Sequence, residues 1–94
     1  MEIKLYQIDF LDGVAERDLL TLPVTIERRV KKAIWGRLTV SPDKLGKQLS
    51  HEFKGYFSLR VGDYRVIYRI EVLERKVLIT AIGHRRDIYK RVPE

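Results

Sequence analysis

Residues 3–8 alternate, with Ile3 and Leu5 on one side and Tyr6 and Ile8 on the other, which is the period-two pattern of a strand. The period then changes. Leu11, Ala15, Leu19 and Leu22 recur at helical spacing with Val14 beside them; Asp9 or Asp12 stands where a cap belongs, and Gly13 weakens the segment. Pro23 suits the first turn of a second helix, whose apolar stripe is Ile26, Val30, Ala33, Ile34 and Leu38. The other side of that helix carries Arg28, Arg29, Lys31, Lys32 and Arg37 and reads as a solvated surface. Residues 39–54 contain Ser41-Pro42-Asp43 and Gly46 and read as a loop.

The second half is a β-meander. Gly62-Asp63 between two β-rich runs is a two-residue hairpin signal, with glycine where a type II′ turn needs it. That turn pairs Val61 with Tyr64, Leu59 with Val66 and Phe57 with Tyr68 on a core side, and Arg60 with Arg65, Ser58 with Ile67 and Tyr56 with Arg69 on the other. A second two-residue turn at Glu74-Arg75 pairs Ile70 with Ile79 and Tyr68 with Ala81 on the core side. It puts Arg69 opposite Thr80, Ile67 opposite Ile82, and Arg65 opposite His84. The expected fold is α+β, in the order β-α-α-β-β-β: two N-terminal helices packed on a small antiparallel sheet, with residues 1–94 forming one domain.

Composition narrows the chemistry. The chain has 94 residues, 45% of them hydrophobic and 34% charged, which is a globular mix. It has no cysteine, so disulfides, thiolate nucleophiles and cysteine-ligated zinc are excluded, and two histidines cannot build a His-rich metal site. Neither a signal-peptide core nor a membrane-length apolar run is present, so a cytoplasmic protein with no membrane partner is expected. Nineteen basic residues against thirteen acidic ones give a net charge of +6, which favours an anionic partner.

The register concentrates that charge. The surface turned away from the helices carries Tyr56, Ser58, Arg60, Arg65, Arg69, Thr80 and His84, with Arg85, Arg86 and Tyr89 following the last strand. Arg60 opposite Arg65 is a like-charge pair, unfavourable unless an anion lies between them. Arginines beside a phosphodiester can offset the charge that grows on a phosphorane. If the nucleophile is the substrate's own 2′-hydroxyl, the protein needs only a base, cations and an acid, and no metal or cofactor. Simple anion binding fits the same inventory.

Residues 55–70 (GYFSLRVGDYRVIYRI) and 77–91 (VLITAIGHRRDIYKR) resemble the RelE/ParE superfamily of toxins, the RelE branch most closely, through R-x-G-x-Y-R-x-x-Y at 60–68 and G-H-R-R-x-I-Y at 83–89. The resemblance implies a type II toxin that cuts mRNA in the ribosomal A site and is held in check by a cognate antitoxin. Arg65 matches the arginine associated with the scissile phosphate, Arg85 that of the leaving-group side, and Tyr89 the tyrosine that stacks on or orients substrate. Arg60 matches a basic position beside them. Lys54, Arg69, Arg86 and Lys90 complete the expected RNA contacts. The chain departs from the pattern on the second strand, where Tyr56 and Ser58 stand in place of lysines. The base is therefore sought among Lys54, His84 and Glu52, and His84 has the most suitable ordinary pKa. The other readings are a ParE-like inhibitor of DNA gyrase and a degenerate toxin that only binds RNA or antitoxin.

Overall fold

The hairpin at Gly62-Asp63 sets the architecture. In the computed structural model, which describes residues 4–90, Gly62 takes φ +60°, the left-handed value that a type II′ turn demands at its first central position. Strands β3 (Phe57–Val61) and β4 (Tyr64–Glu71) leave this turn paired as the sequence dictates, Val61 with Tyr64, Arg60 with Arg65 and Phe57 with Tyr68.

The second hairpin differs from expectation. The link to β5 (Lys76–His84) has four residues, closed by Glu71 opposite Lys76, with Arg75 in a left-handed conformation at φ +53°. The register shifts again between Ile67 and Tyr68, where Thr80 is the extra residue of a bulge on β5. Arg65 is therefore opposite Gly83, and His84 is opposite Tyr64. Because side chains alternate, this one-residue change carries His84 to the opposite side of the sheet from Arg65.

With β1 (Gln7–Phe10) and β2 (Lys47–Gln48) added, the described sheet has five strands in the order β1-β5-β4-β3-β2. β1 (Gln7–Phe10) runs parallel to β5, so the sheet is mixed rather than wholly antiparallel. The expected strand start at Ile3 lies outside the described residues. β2 (Lys47–Gln48) pairs with Ser58 and Phe57, so that among the described residues the outer edge of β3 has no partner strand beyond Ser58. The stretch taken for a loop thus holds a strand, a helical turn α2 (Pro42–Leu45) and a 3₁₀ turn His51–Phe53.

The two helical segments cover one side of the sheet, as expected. The first is short, a π-helical turn over Ala15–Leu19 entered through Gly13 at φ +83°, with no side-chain cap from Asp9 or Asp12. Its buried Asp18 accepts the Ile82 backbone N–H at 3.0 Å, satisfying the edge of β5 beyond the end of β1. The second, α1 (Val24–Ala33), runs on into a π-helical segment Ile34–Leu38. Val30, Ile34 and Leu38 are fully buried against Leu59, Val66, Tyr68 and Ile79. Burial of that order contributes about 1.5–3 kcal/mol per large side chain. No helix among the described residues is long and apolar enough to cross a membrane.

The other side of the sheet is not a bare concave surface. Ile67, Ala81 and Ile88 form a second small core, packed by Leu49, Phe53 and Tyr56. Ser58 and Thr80, expected on an open face, are buried there, and Thr80 Oγ1 donates to the Ile67 carbonyl at 3.2 Å.

Candidate functional site

The Gly62-Asp63 turn organises the cationic end of the molecule. The Arg65 guanidinium donates to the carbonyl oxygens of Gly62 at 3.0 Å and Tyr64 at 2.9 Å, so its side chain is folded onto the turn rather than left free. Arg85 reaches the same turn from the end of β5. Its backbone N–H donates to the Asp63 carbonyl at 2.8 Å, and its Nε lies 3.8 Å from Asp63 Oδ1. Strand ends bring the two arginines to one turn, because a hairpin places its turn beside the terminus of the next strand.

Tyr89 stands further along the same side. It sits in a 3₁₀ turn, Ile88–Lys90, whose Ile88 is fully buried in the second core. The Tyr89 ring is 40% exposed and packs at 5.5 Å on Phe53. A ring supported on one side and open on the other can stack on a planar partner. Arg69 lies over the Tyr56 ring, 5.6 Å from its centroid, a cation–π arrangement that holds the guanidinium at the surface. Lys54, Arg86 and Lys90 are exposed around this group.

His84 is not part of the group. Its ring meets Tyr64 edge-on at 5.5 Å, on the helix side of the sheet. Its Nδ1 accepts the Arg86 backbone N–H at 3.2 Å, so a neutral imidazole here carries its proton on Nε2. The expected cross-strand pair of Arg65 and His84 therefore does not form. The bulge at Thr80 is the physical cause, because the longer Val72–Arg75 link moves the register by two residues and leaves the sides unchanged, whereas the one extra residue exchanges them. Arg60 is opposite Arg65 as expected, yet the strain of that like-charge pair is relieved because Arg65 turns onto backbone carbonyls.

Two residues of this arrangement were not legible as functional. Asp63 reads as a turn residue and also faces Arg85; Phe53, which supports Tyr89, lies in a stretch that looks like a loop. A strongly shifted titration lies elsewhere: burial first, and the charge of Asp43 second, push the Tyr68 phenol well above its ordinary value. Its hydroxyl donates to the Pro42 carbonyl at 2.6 Å.

Residues 11–89 match the family described as the ParE toxin of the type II toxin–antitoxin system, parDE. The chain is similar to the Mycobacterium tuberculosis toxin RelG, 43% identical over 77 residues that cover 82% of this chain and 88% of that one. It is also similar to the Mycobacterium tuberculosis toxin RelE, 36% identical over 83 residues, or 88% of this chain and 86% of that one. Among solved structures, the Mycobacterium tuberculosis toxin–antitoxin complex RelBE2 contains a chain that superimposes with TM-score 0.79 at 36% identity, covering 85% of this chain and 98% of that one. The isolated Escherichia coli RelE toxin shares the fold, with TM-score 0.69 at 17% identity over 84% of this chain and 83% of that one.

Proposed function

Because the chain belongs to the ParE/RelE toxins of type II toxin–antitoxin systems, we propose that it is a single-domain cytoplasmic endoribonuclease that cuts mRNA in the ribosomal A site and is neutralised by a protein antitoxin. The observation that carries this reading is the anchoring of Arg65 and Arg85 on one two-residue turn. The Arg65 guanidinium is held by two backbone carbonyls and the Arg85 backbone by the Asp63 carbonyl, so both side chains start from fixed positions to meet charge that develops on a phosphorane, and preorganised charge is worth far more than mobile charge. The 2′-hydroxyl of the substrate attacks its own 3′-phosphate, the P–O5′ bond breaks, and a 2′,3′-cyclic phosphate and a 5′-hydroxyl result. In this scheme Arg65 faces the phosphate oxygens, Arg85 the leaving oxygen, and Tyr89 stacks on a base, with Lys54, Arg60, Arg69, Arg86 and Lys90 contacting the RNA.

The proton acceptor is assigned to Glu52 or Lys54, the residues on either side of the Phe53 that supports Tyr89. His84 is the poorer choice, since it faces Tyr64 with Nδ1 already engaged. Primer extension on programmed ribosomes tests the function itself. Cleavage by the native chain that Arg65→Ala reduces ~100-fold supports it. Intact mRNA together with inhibited gyrase supercoiling would favour the ParE-like alternative, for which Tyr56 and Ser58 at the second-strand lysine positions already argue.

A further inference from the structure

Between α1 and the outer edge of β3 lies a hollow of about 480 Å³. Four cations line it: Arg29 and Lys32 from α1, Arg37 from the segment that continues it, and Arg60 from β3. No acidic side chain is among its lining residues. The hollow is open above Gly36, where a Cβ would meet nothing within 4 Å. A Cβ on Gly62 would sit 3.1 Å from Arg29 Nη2, so the Arg29 guanidinium lies against the turn that also holds Arg65 and Arg85.

We propose that this hollow is a second phosphate site, which grips the RNA backbone away from the bond that is cut. Four cations without a lining acid repel one another, and an anion between them removes that cost. Guanidinium forks match phosphate geometry. The apolar lining is only Ala33 and Val61. A peptide would find no aromatic or large aliphatic anchor pocket of the kind that dominates protein interfaces, whereas RNA affinity is chiefly electrostatic. The hollow is also continuous with the candidate site: Arg60 is the cross-strand neighbour of Arg65, and the Gly62 turn separates the two. A strand seated at Arg65 and Arg85 passes over that turn into the hollow. The assignment of RNA as ligand rests on the function proposed above.

The test measures binding and cleavage separately. A fluorescein-labelled oligouridylate is titrated with the native chain and with Arg29→Gln/Lys32→Gln/Arg37→Gln, whose glutamines keep helix propensity. A control, Arg28→Gln/Lys31→Gln/Lys44→Gln, removes the same charge elsewhere on the surface. Loss of three phosphate contacts lowers the slope of log affinity against log salt by about 2 and weakens binding tenfold or more, while the control stays within about twofold. Equal losses in both variants would mean net charge alone and overturn the proposal. Unchanged RNA binding with lost binding of a polyglutamate peptide would overturn it in favour of an acidic protein partner. Cleavage on programmed ribosomes is read at saturating protein, where the hollow variant should keep the native rate. A native chain that cuts nothing but shows the expected binding differences defeats the nuclease reading and leaves the hollow standing; the reverse pattern defeats the hollow alone.

Discussion

Arg85 is tied to Asp63 twice, by a 2.8 Å hydrogen bond from its backbone N–H to the Asp63 carbonyl and by an ion pair of 3.8 Å between side chains. The first contact survives any substitution at position 85 that keeps the backbone N–H, that is, any but proline; the second is solvent-exposed on both partners and adds little to stability. Arg65 is different, because its own guanidinium makes the two bonds to Gly62 and Tyr64. Arg65→Ala and Arg85→Ala should therefore lower cleavage alike, ~100-fold each, but only Arg65→Ala should lose about 1–2 kcal/mol of stability. Urea titration beside single-turnover cleavage separates the two effects. Equal stability losses would mean that the side-chain pair with Asp63 matters as much as the carbonyl contacts of Arg65.

The Tyr89 ring rests on Phe53, which comes from a part of the chain 36 positions earlier. If stacking is the function of Tyr89, Tyr89→Phe keeps most activity, while Tyr89→Ala loses a base–aromatic contact of about 1–3 kcal/mol, or roughly 5- to 150-fold in affinity. Phe53→Ala should reproduce part of that loss by removing the support. Cleavage measured against toxin concentration checks this: the midpoint moves and the saturated rate does not. Equal loss in Tyr89→Phe and Tyr89→Ala would instead assign the work to the hydroxyl.

How far the sequence carries depends on whether turn chemistry is explicit. Gly62-Asp63 admits essentially one loop geometry, so every pair from Val61–Tyr64 to Phe57–Tyr68 follows from it. Val72–Arg75 contains no glycine, yet Arg75 adopts a left-handed conformation, which side-chain type does not announce. The run from Val77 to Ile82 is apolar on both sides, apart from Thr80, because the sheet is covered on both. Alternation then cannot choose between registers one residue apart, and His84 moves to the other side as a result. The second core around Ile67, Ala81 and Ile88 was hidden for the same reason: Leu49 and Phe53 lie among polar residues and show no period. The helix stripe, by contrast, was legible throughout. Its charged reverse side was legible only as a solvated surface, since nothing along the helix tells that Arg60 and Gly62 close a hollow beside it.

Cleavage by an internal 2′-hydroxyl makes one demand on the substrate, fixes the form of the product and needs no metal. A message with a 2′-deoxy sugar at the cut position should be inert, because the nucleophile is missing. The upstream product should carry a 2′,3′-cyclic phosphate, seen as resistance to tailing that persists with phosphatase alone and is relieved only when acid opens the ring and phosphatase then removes the phosphate. EDTA, at a concentration that leaves the ribosome intact, should not change the rate. Abolition by EDTA with restoration by one divalent ion would replace this scheme with metal-assisted hydrolysis.

Tyr68 connects the sheet to the α2 turn, and its titration gives a stability test that is independent of activity. Its phenol is fully buried, donates to the Pro42 carbonyl, and is held protonated by burial and by the nearby Asp43 charge. In the unfolded chain the group ionises near its ordinary value of about 10. The folded value is raised above that, so the unfolded state loses its proton first as pH climbs. The contribution of Tyr68 is therefore complete below about pH 10 and is lost as pH rises above it. Tyr68→Phe cannot ionise. It should cost about 1 kcal/mol at neutral pH through the lost hydrogen bond, and its stability should fall less steeply than that of the native chain above pH 10. Urea midpoints for both chains between pH 8 and pH 11 provide the measurement, and parallel curves across that range would show that the phenol reaches solvent when ionised. Gly46 offers a second check, because a Cβ there would overlap the Tyr68 hydroxyl. Gly46→Ala should destabilise the native chain more than it destabilises Tyr68→Phe, in which the clashing oxygen is gone.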